Sequence, residues 1–427
     1  MPRKKLSVRS VRCISMLSVF MALFILAFAA VVTPSVQAQT FTVLHAFTGA
    51  PDGGFPGNGG LILDAKGNVY GTTSEGGTGA CSGGCGTVFK LNTAGKETVL
   101  YSFTGTNGDG KYPQGGLVQD AAGNLYGTTF GGGTSGTACN GYGCGTVFML
   151  DSARQETVLY SFTGGVDGAT PIAGVVRDAA GNLYGTTHLG GAFNWGTVFM
   201  VDTSGNETVL HSFDGLTGDG GDAYGGLILD AAGTLYGTTQ GGGNVNFNCL
   251  PGLEMGCGTV FQITTTGTET VLYAFAGRAD GNTPSGNVAL DNAGNLYGTS
   301  QPRPTPTGGG TIFRLDSTGK FRVLHTFTGG AGGADPFAGL VRDSAGNLYG
   351  TTYQGGGGGA TCQTFLGGCG TAFKLSHAGT FTVLHSFTGG KDGGWLFAPL
   401  VLDTKGNLYG TATIGGIGDG TVFKITP

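Results

Sequence analysis

Apolar residues from Phe41 onward fall in short runs, each cut by Gly, Asp or Asn, and no stretch sustains the 3.6-residue period of an amphipathic helix. Four runs recur in a constant order: GLVxD, GNLYGTT, GTVFxL and ETVLYSF. Each is rich in Val, Leu, Tyr, Phe and Thr and bounded by turn residues, so each predicts a strand. The tyrosine of the second run stands at Tyr70, Tyr126, Tyr184, Tyr236, Tyr297, Tyr349 and Tyr409, 52 to 61 residues apart. The third run begins at Gly86, Gly145, Gly196, Gly258, Gly310, Gly370 and Gly420, and the fourth at Thr42, Thr98, Thr157, Thr208, Thr270, Arg322 and Thr382. Seven units of four strands predict an all-β, seven-bladed β-propeller of four-stranded antiparallel blades with almost no helix. The phase at the ends supports a closed ring. Phe41–Phe47 is a fourth strand with no first three before it, while the last unit stops after its third strand, Thr421 onward. The N-terminal strand is therefore expected to complete the last blade.

Within DAAGNLYGTT, which occurs unchanged at Asp120 and Asp178, the Asp carboxylate is placed to accept N–H groups of the following turn, and the Gly supplies a positive φ. Leu and Tyr then alternate between blade faces. The Gly after Tyr is expected to admit the adjacent blade. Seven aspartates, Asp64, Asp120, Asp178, Asp230, Asp291, Asp343 and Asp403, sit at equivalent places. Ring symmetry holds them a blade apart, whereas paired-carboxylate catalysis needs two groups roughly 5 to 10 Å apart. A second set, Asp52, Asp109, Asp167, Asp219, Asp280 and Asp392, each precedes Gly and reads as a turn, with a low-affinity calcium ion as the alternative. No other cofactor is indicated.

The LYGTT and GTVF elements and their phase resemble the tandem-repeat family known from Gloeobacter and Verrucomicrobia, the GloVer repeat. The resemblance runs from Phe41 to the C-terminus and implies an exported bacterial propeller without an assigned chemistry. It also implies, in many members, a C-terminal sorting segment, which is not expected here because the chain ends at a strand. DxxGNLY is more loosely similar to a turn of NHL-type and lactonase-like propellers.

Composition agrees with a repeat array: 89 glycines lack a collagen period, and 39% hydrophobic residues exclude a wholly disordered chain. The first 38 residues stand apart. Arg3, Lys4, Lys5, Arg9 and Arg12 precede an uncharged, mostly apolar run from Ile14 to Val32, and Val36-Gln37-Ala38 suits a signal peptidase. Residues 1–38 thus read as a signal peptide and 39–427 as one propeller domain, secreted or periplasmic, with a retained membrane anchor as the alternative. Removing five basic residues from 21 leaves 16 against 26 acidic ones, a formal charge of about −10 that argues against a nucleic-acid partner. A monomer is expected.

Eight cysteines outside the leader form four local couples, Cys81 with Cys85, Cys139 with Cys144, Cys249 with Cys257 and Cys362 with Cys369. The second of each directly precedes GTVF or its variant. Export and variable spacing favour disulfides that pin long loops over metal knuckles.

The strand order gathers the long, variable connections on one face, where function on a regular scaffold is expected. Aromatic residues near the starts of inner strands, Phe55, Tyr112, Tyr224, Phe337, Trp395 and Phe397, are expected either to plug the channel or to contact a ligand, with Trp195 and Phe193 as a second group. His45, His211, His325 and His385 interchange with tyrosines and read as rim packing. No nucleophile elbow, zinc-protease motif or phosphate loop occurs. The sequence favours a non-catalytic module for a glycan, peptide or surface protein. The alternative is an enzyme acting on a carbohydrate or lactone, which requires His188, Asp222 or an Asp-Gly aspartate to meet a second polar group in a pocket.

Overall fold

The computed structural model describes residues 39–426 apart from 135–138, 217, 245–248, 250–255, 278, 302–308, 358–361 and 363–366. The leader reading for residues 1–38 lies outside the described residues. The chain from Gln39 onward is a seven-bladed β-propeller. In the second blade the strands run from the axis outward as Val118–Gln119, Leu125–Thr129, Thr146–Leu150 and Glu156–Ser161, all antiparallel. The seventh blade is assembled from both ends of the chain: Val401–Leu402, Leu408–Ala412 and Thr421–Thr426, then Thr40–Ala46. There Thr40 pairs with Thr426 and Ala46 with Thr421, across a bulge between Val43 and His45. Closure leaves no blade short of its outer strand. A short helical turn occurs at Gly330–Gly332.

Cohesion between blades comes chiefly from phenylalanine. The last residue of each ETVLYSF run is fully buried and meets the GTVF phenylalanine of the next blade, edge-on at six boundaries, such as Phe47 with Phe89 at 5.2 Å, Phe103 with Phe148 at 5.1 Å and Phe162 with Phe199 at 5.0 Å, and tilted at Phe387 with Phe423 at 5.0 Å. Edge-to-face geometry sets the positive ring edge against the negative face, which adds to the gain from burial.

The glycine after Tyr has a different role from the expected one. Gly71 lies opposite Phe89 of its own blade, and a Cβ there would stand 2.8 Å from that ring and 2.8 Å from Leu61. It makes room for the cross-strand Phe, not for the neighbouring blade. Close approach between blades occurs instead beside the axis, where a Cβ on Gly59 would fall 1.5 Å from the Gly116 nitrogen. Threonine hydroxyls reinforce that contact, as Thr72 donates to the Gly115 carbonyl at 3.0 Å and Thr128 to Ala173 at 2.7 Å.

The DxxGN turn forms as expected. Asp64 accepts from the Lys66 and Asn68 N–H groups, both at 2.9 Å, and Gly67 holds φ of 81°. Its second oxygen also accepts from the Tyr70 hydroxyl at 3.1 Å, a lock between turn and strand that recurs from Tyr126 to Asp120 and from Tyr184 to Asp178. Small ladders of glycine pairs, Gly110–Lys111 with Gly131–Gly132 and Gly220–Gly221 with Gly241–Gly242, are additional strands within connections that read as loops. Glycine carries no strand propensity, so pairing there is set by the blades on either side.

Phe162→Ala is expected to destabilise the propeller by about 3–5 kcal/mol, the usual cost of deleting a buried phenylalanine ring. Truncating Phe193, which is 60% exposed, is expected to change stability by no more than about 0.5 kcal/mol. Urea midpoints of the two variants check the contrast.

Candidate functional site

Aligned by blade, the residue five places before the Leu or Val that opens the inner strand, six in the first blade, forms one ring: Phe55, Tyr112, Thr170, Asp222, Thr283, Asp335 and Trp395. All seven have positive φ, between 39° and 63°, and none is glycine. That region costs L-residues energy, most of all β-branched threonine. Backbone hydrogen bonds enforce it. Each N–H donates to the carbonyl of the residue preceding GTVF or its variant in the previous blade, as Tyr112 to Cys85 at 2.8 Å, Asp222 to Trp195 at 2.9 Å and Trp395 to Cys369 at 2.9 Å. The four disulfides, with Cα separations of 5.0 to 5.4 Å, therefore brace the carbonyls that hold four members of this ring. Trp195 does the same without a disulfide, packing its ring against Gly215 and Gly221.

Two places further on, Tyr224, Phe337 and Phe397 line a channel cavity of about 320 Å³ together with Asn58, Ile172 and Ser285. The Tyr224 hydroxyl is within hydrogen-bond reach of Asn58, which belongs to a blade on the other side of the axis. Its ring meets Phe337 at 5.1 Å, and Phe337 meets Phe397 at 5.3 Å. These three rings thus close together over the channel. The tract extends at both ends: His188 lies 5.9 Å from Tyr224, while Tyr353 lies 4.7 Å from Phe397 and 5.9 Å from Trp395. All of these side chains are half-buried, so each keeps an open surface.

Polar groups flank the tract. His188 Nδ1 pairs with Asp222 Oδ1, and both border a cavity of about 410 Å³ with Phe193, Asn194 and Trp195. At the other end, burial raises the Asp335 carboxyl to about 6, opposed by a 3.4 Å hydrogen bond from Gln354. Asp335 Oδ1, Trp395 Nε1 and Thr170 Oγ1 are buried without a hydrogen-bond partner, and Thr170 is only 7% exposed. Buried polar atoms left unpaired are rare in native structures and concentrate where something else binds.

Of the sequence candidates, Tyr224, Phe337, Phe397 and Trp395 join one tract. Phe55 and Tyr112 share the positive-φ ring on the other side of the mouth, and Tyr112 faces Lys111 at 5.7 Å. Sequence reasoning missed Tyr353 and Asp335. The signal was available: the position after YGTT runs Ser74, Phe130, His188, Gln240, Gln301, Tyr353 and Thr413, six residue types in seven blades beside near-constant residues.

A second set of clusters lies on the outer rim. The ring of each outer-strand His or Tyr faces the next blade's outer strand, where that strand begins with Glu or Phe. Phe41 stacks on His385 at 3.8 Å, Phe321 on Tyr273 at 4.0 Å and Phe381 on His325 at 4.0 Å. Glu97, Glu156, Glu207 and Glu269 occupy the other four places, beside Asp52, Asp109, Asp167 and Asp219. The histidines are more than rim packing, because His45, His211 and His385 pair with Asp-Gly aspartates at 3.0 to 3.1 Å.

The chain is thus a seven-bladed propeller with a strained ring of variable residues at its mouth. The chain belongs to the Gloeobacter/Verrucomicrobia repeat family, whose pattern matches residues 30–141, 135–365 and 250–427. No curated protein matches it in sequence. Among solved structures it is similar to the extracellular domain of BT4673 from B. thetaiotaomicron, described as a hybrid two-component system, at 14% identity and TM-score 0.52. That match covers 91% of this chain and 42% of the other, so this chain spans less than half of that relative's length. A second structure of a BT4673 extracellular domain, described as a one-component system, gives 9% identity and TM-score 0.51 over 89% and 40% of the two chains. The PQQ-bound aldose sugar dehydrogenase of Streptomyces coelicolor gives 11% identity and TM-score 0.45 over 91% and 98%. At 14% and 9% identity the two BT4673 domains indicate a common fold alone.

Two measurements follow from this geometry. Thr170→Gly relieves a β-branched residue at φ of 51° and is expected to raise stability by about 1 kcal/mol, read from the shift of the urea midpoint. At the rim, burial first, and Asp109 or Asp167 second, raises Glu156 and Glu207 from the ordinary 4.5 to about 7. Between those values the folded chain holds protons that the unfolded chain releases, so their contribution to stability falls as pH rises from 4.5 to about 7 and is constant above it. A Glu156→Gln/Glu207→Gln variant is expected to lose part of that slope in melting temperature against pH.

Proposed function

We propose that the protein is an exported binding module that takes a carbohydrate at the channel mouth. The observation that carries this reading is the aromatic tract Tyr224–Phe337–Phe397–Tyr353–Trp395, half-exposed and flanked by unpaired polar atoms. A sugar ring presents an apolar C–H face and a rim of hydroxyls, so it requires an aromatic platform beside hydrogen-bonding groups. Asp335, the Trp395 indole N–H and the His188–Asp222 pair supply those groups at the two ends. The positive-φ ring holds its side chains on backbone fixed by disulfides and inter-blade hydrogen bonds, which lowers the ordering cost of binding. Export is supported by the basic and apolar leader and by disulfides confined to single loops.

A second reading has one observation in its favour. The His188–Asp222 pair meets the condition for an enzyme set by the sequence, because a carboxylate on Nδ1 orients the imidazole and leaves Nε2 for proton transfer.

Screening residues 39–427 on a glycan array separates these outcomes. Saturable binding to an oligosaccharide class is expected, with Trp395→Ala and Tyr353→Ala each weakening it about tenfold, on the order of one lost aromatic contact. Silence of the whole array at high micromolar protein would overturn the carbohydrate reading. Conversion of a bound glycan, detected by mass spectrometry and lost in His188→Gln with binding retained, would establish the enzyme instead.

A further inference from the structure

The four rim clefts that carry a glutamate share one plan, so each serves as a control for the others. The cleft between the third and fourth blades departs from that plan. His211 Nε2 lies 3.0 Å from Asp219 Oδ1, and Glu269 enters from the next blade. Among the described residues, His211, Asp219 and Glu269 are the only three potential ligands whose donor atoms all lie within 4.8 Å of one another.

The departure is at Asp214. Equivalent positions carry threonine at Thr48, Thr104, Thr163, Thr328 and Thr388 and alanine at Ala276; the hydroxyls of Thr48, Thr104, Thr163 and Thr388 donate to their rim aspartates, at 3.3 Å to Asp52, 2.7 Å to Asp109 and 2.6 Å to Asp167 in the first three. Asp214 has no hydroxyl to give, so Asp219 Oδ2 keeps only the Asp214 N–H at 2.8 Å. A donor that satisfied the rim aspartate has been exchanged for another anion. Glu269 Oε1 is buried without a hydrogen-bond partner, as are Glu97, Glu156 and Glu207 Oε1 in the other glutamate clefts, so what sets this cleft apart is the added anion and the convergence of three ligand atoms. Three carboxylates therefore face one imidazole, and among the described residues no lysine or arginine pairs with any of them. Like charges gathered out of water cost stability unless a cation joins them.

We propose that this cleft is a divalent transition-metal site in which His211, Asp219 and Glu269 are ligands and Asp214 supplies outer charge or a fourth oxygen. One imidazole with carboxylates suits zinc or manganese. Zinc takes nitrogen and oxygen ligands at about 2.0 to 2.2 Å, which sets neighbouring ligand atoms roughly 3.3 Å apart and within reach of this cluster by small rotations. Calcium is disfavoured, since it takes about six to eight oxygens and the imidazole occupies one side. The site is on the rim and independent of the channel mouth, so it stands or falls apart from the carbohydrate reading.

The array supplies its own replacements for the test. His211→Tyr installs the residue found at Tyr101, Tyr160 and Tyr273, and Glu269→Phe installs that of Phe41, Phe321 and Phe381. Calorimetric titration of chelator-treated residues 39–427 with zinc chloride is expected to show one ion per chain at micromolar affinity or better, and calcium chloride to show no competing heat. Each of the two variants is expected to weaken zinc binding at least about tenfold while circular dichroism is unchanged, and His45→Tyr at the rim cleft closest in composition to leave it intact. Absence of saturable zinc binding would overturn the proposal, as would binding that survives both variants or that falls equally in His45→Tyr. Should His211→Tyr fail to fold, Glu269→Phe decides alone.

Discussion

Everything else in this propeller depends on one contact, the meeting of two phenylalanines across each blade boundary, edge-to-face at six of the seven. A blade is a sheet with two apolar faces and cannot be stable alone, because either face exposed to water forfeits its burial. Phe103 and its six equivalents are fully buried by the next blade, and the receiving ring, Phe148 or its counterpart, lies over a glycine of its own sheet. The glycine after Tyr and the phenylalanine of GTVF are thus one device. Remove the glycine and the ring is lifted into the neighbouring blade; remove the ring and the boundary opens.

That repeated boundary leaves two places free to differ. At the mouth, backbone hydrogen bonds hold seven residues at positive φ whatever their side chains are, so Phe55, Thr170, Asp335 and Trp395 can occupy equivalent sites. Strain of this kind persists only where surrounding structure over-determines it. At the rim, one position alternates between phenylalanine, which seals the cleft by stacking, and glutamate, which leaves a carboxyl beside an aspartate. The architecture is uniform while the chemistry varies by blade, and the departures from the average unit are informative for that reason.

The blades, their order, the closing strand and the four disulfides were legible because each is written several times in the chain. Asp64 and its equivalents were legible as turn formers, but the hydroxyl of Tyr70 returning to the same carboxylate was not, since nothing in an alternating strand says that a tyrosine will bend back over six residues. The role of Gly71 was misassigned between two neighbours for a similar reason. Small residues announce close approach without saying what approaches. Tyr353 and Asp335 escaped notice because they sit beside the repeated strings instead of within them.

By itself the sequence determined the repeat, hence the number of blades and the four strands of each, because strand propensity and turn chemistry are local and seven copies average out their ambiguity. Only the tertiary structure decided which side chains meet. His188 and Asp222 come from neighbouring blades, as do His211 and Glu269, and Tyr224 reaches Asn58 from the other side of the channel. Such meetings are set by ring closure and by the packing between blades, which bring together residues that no local pattern relates.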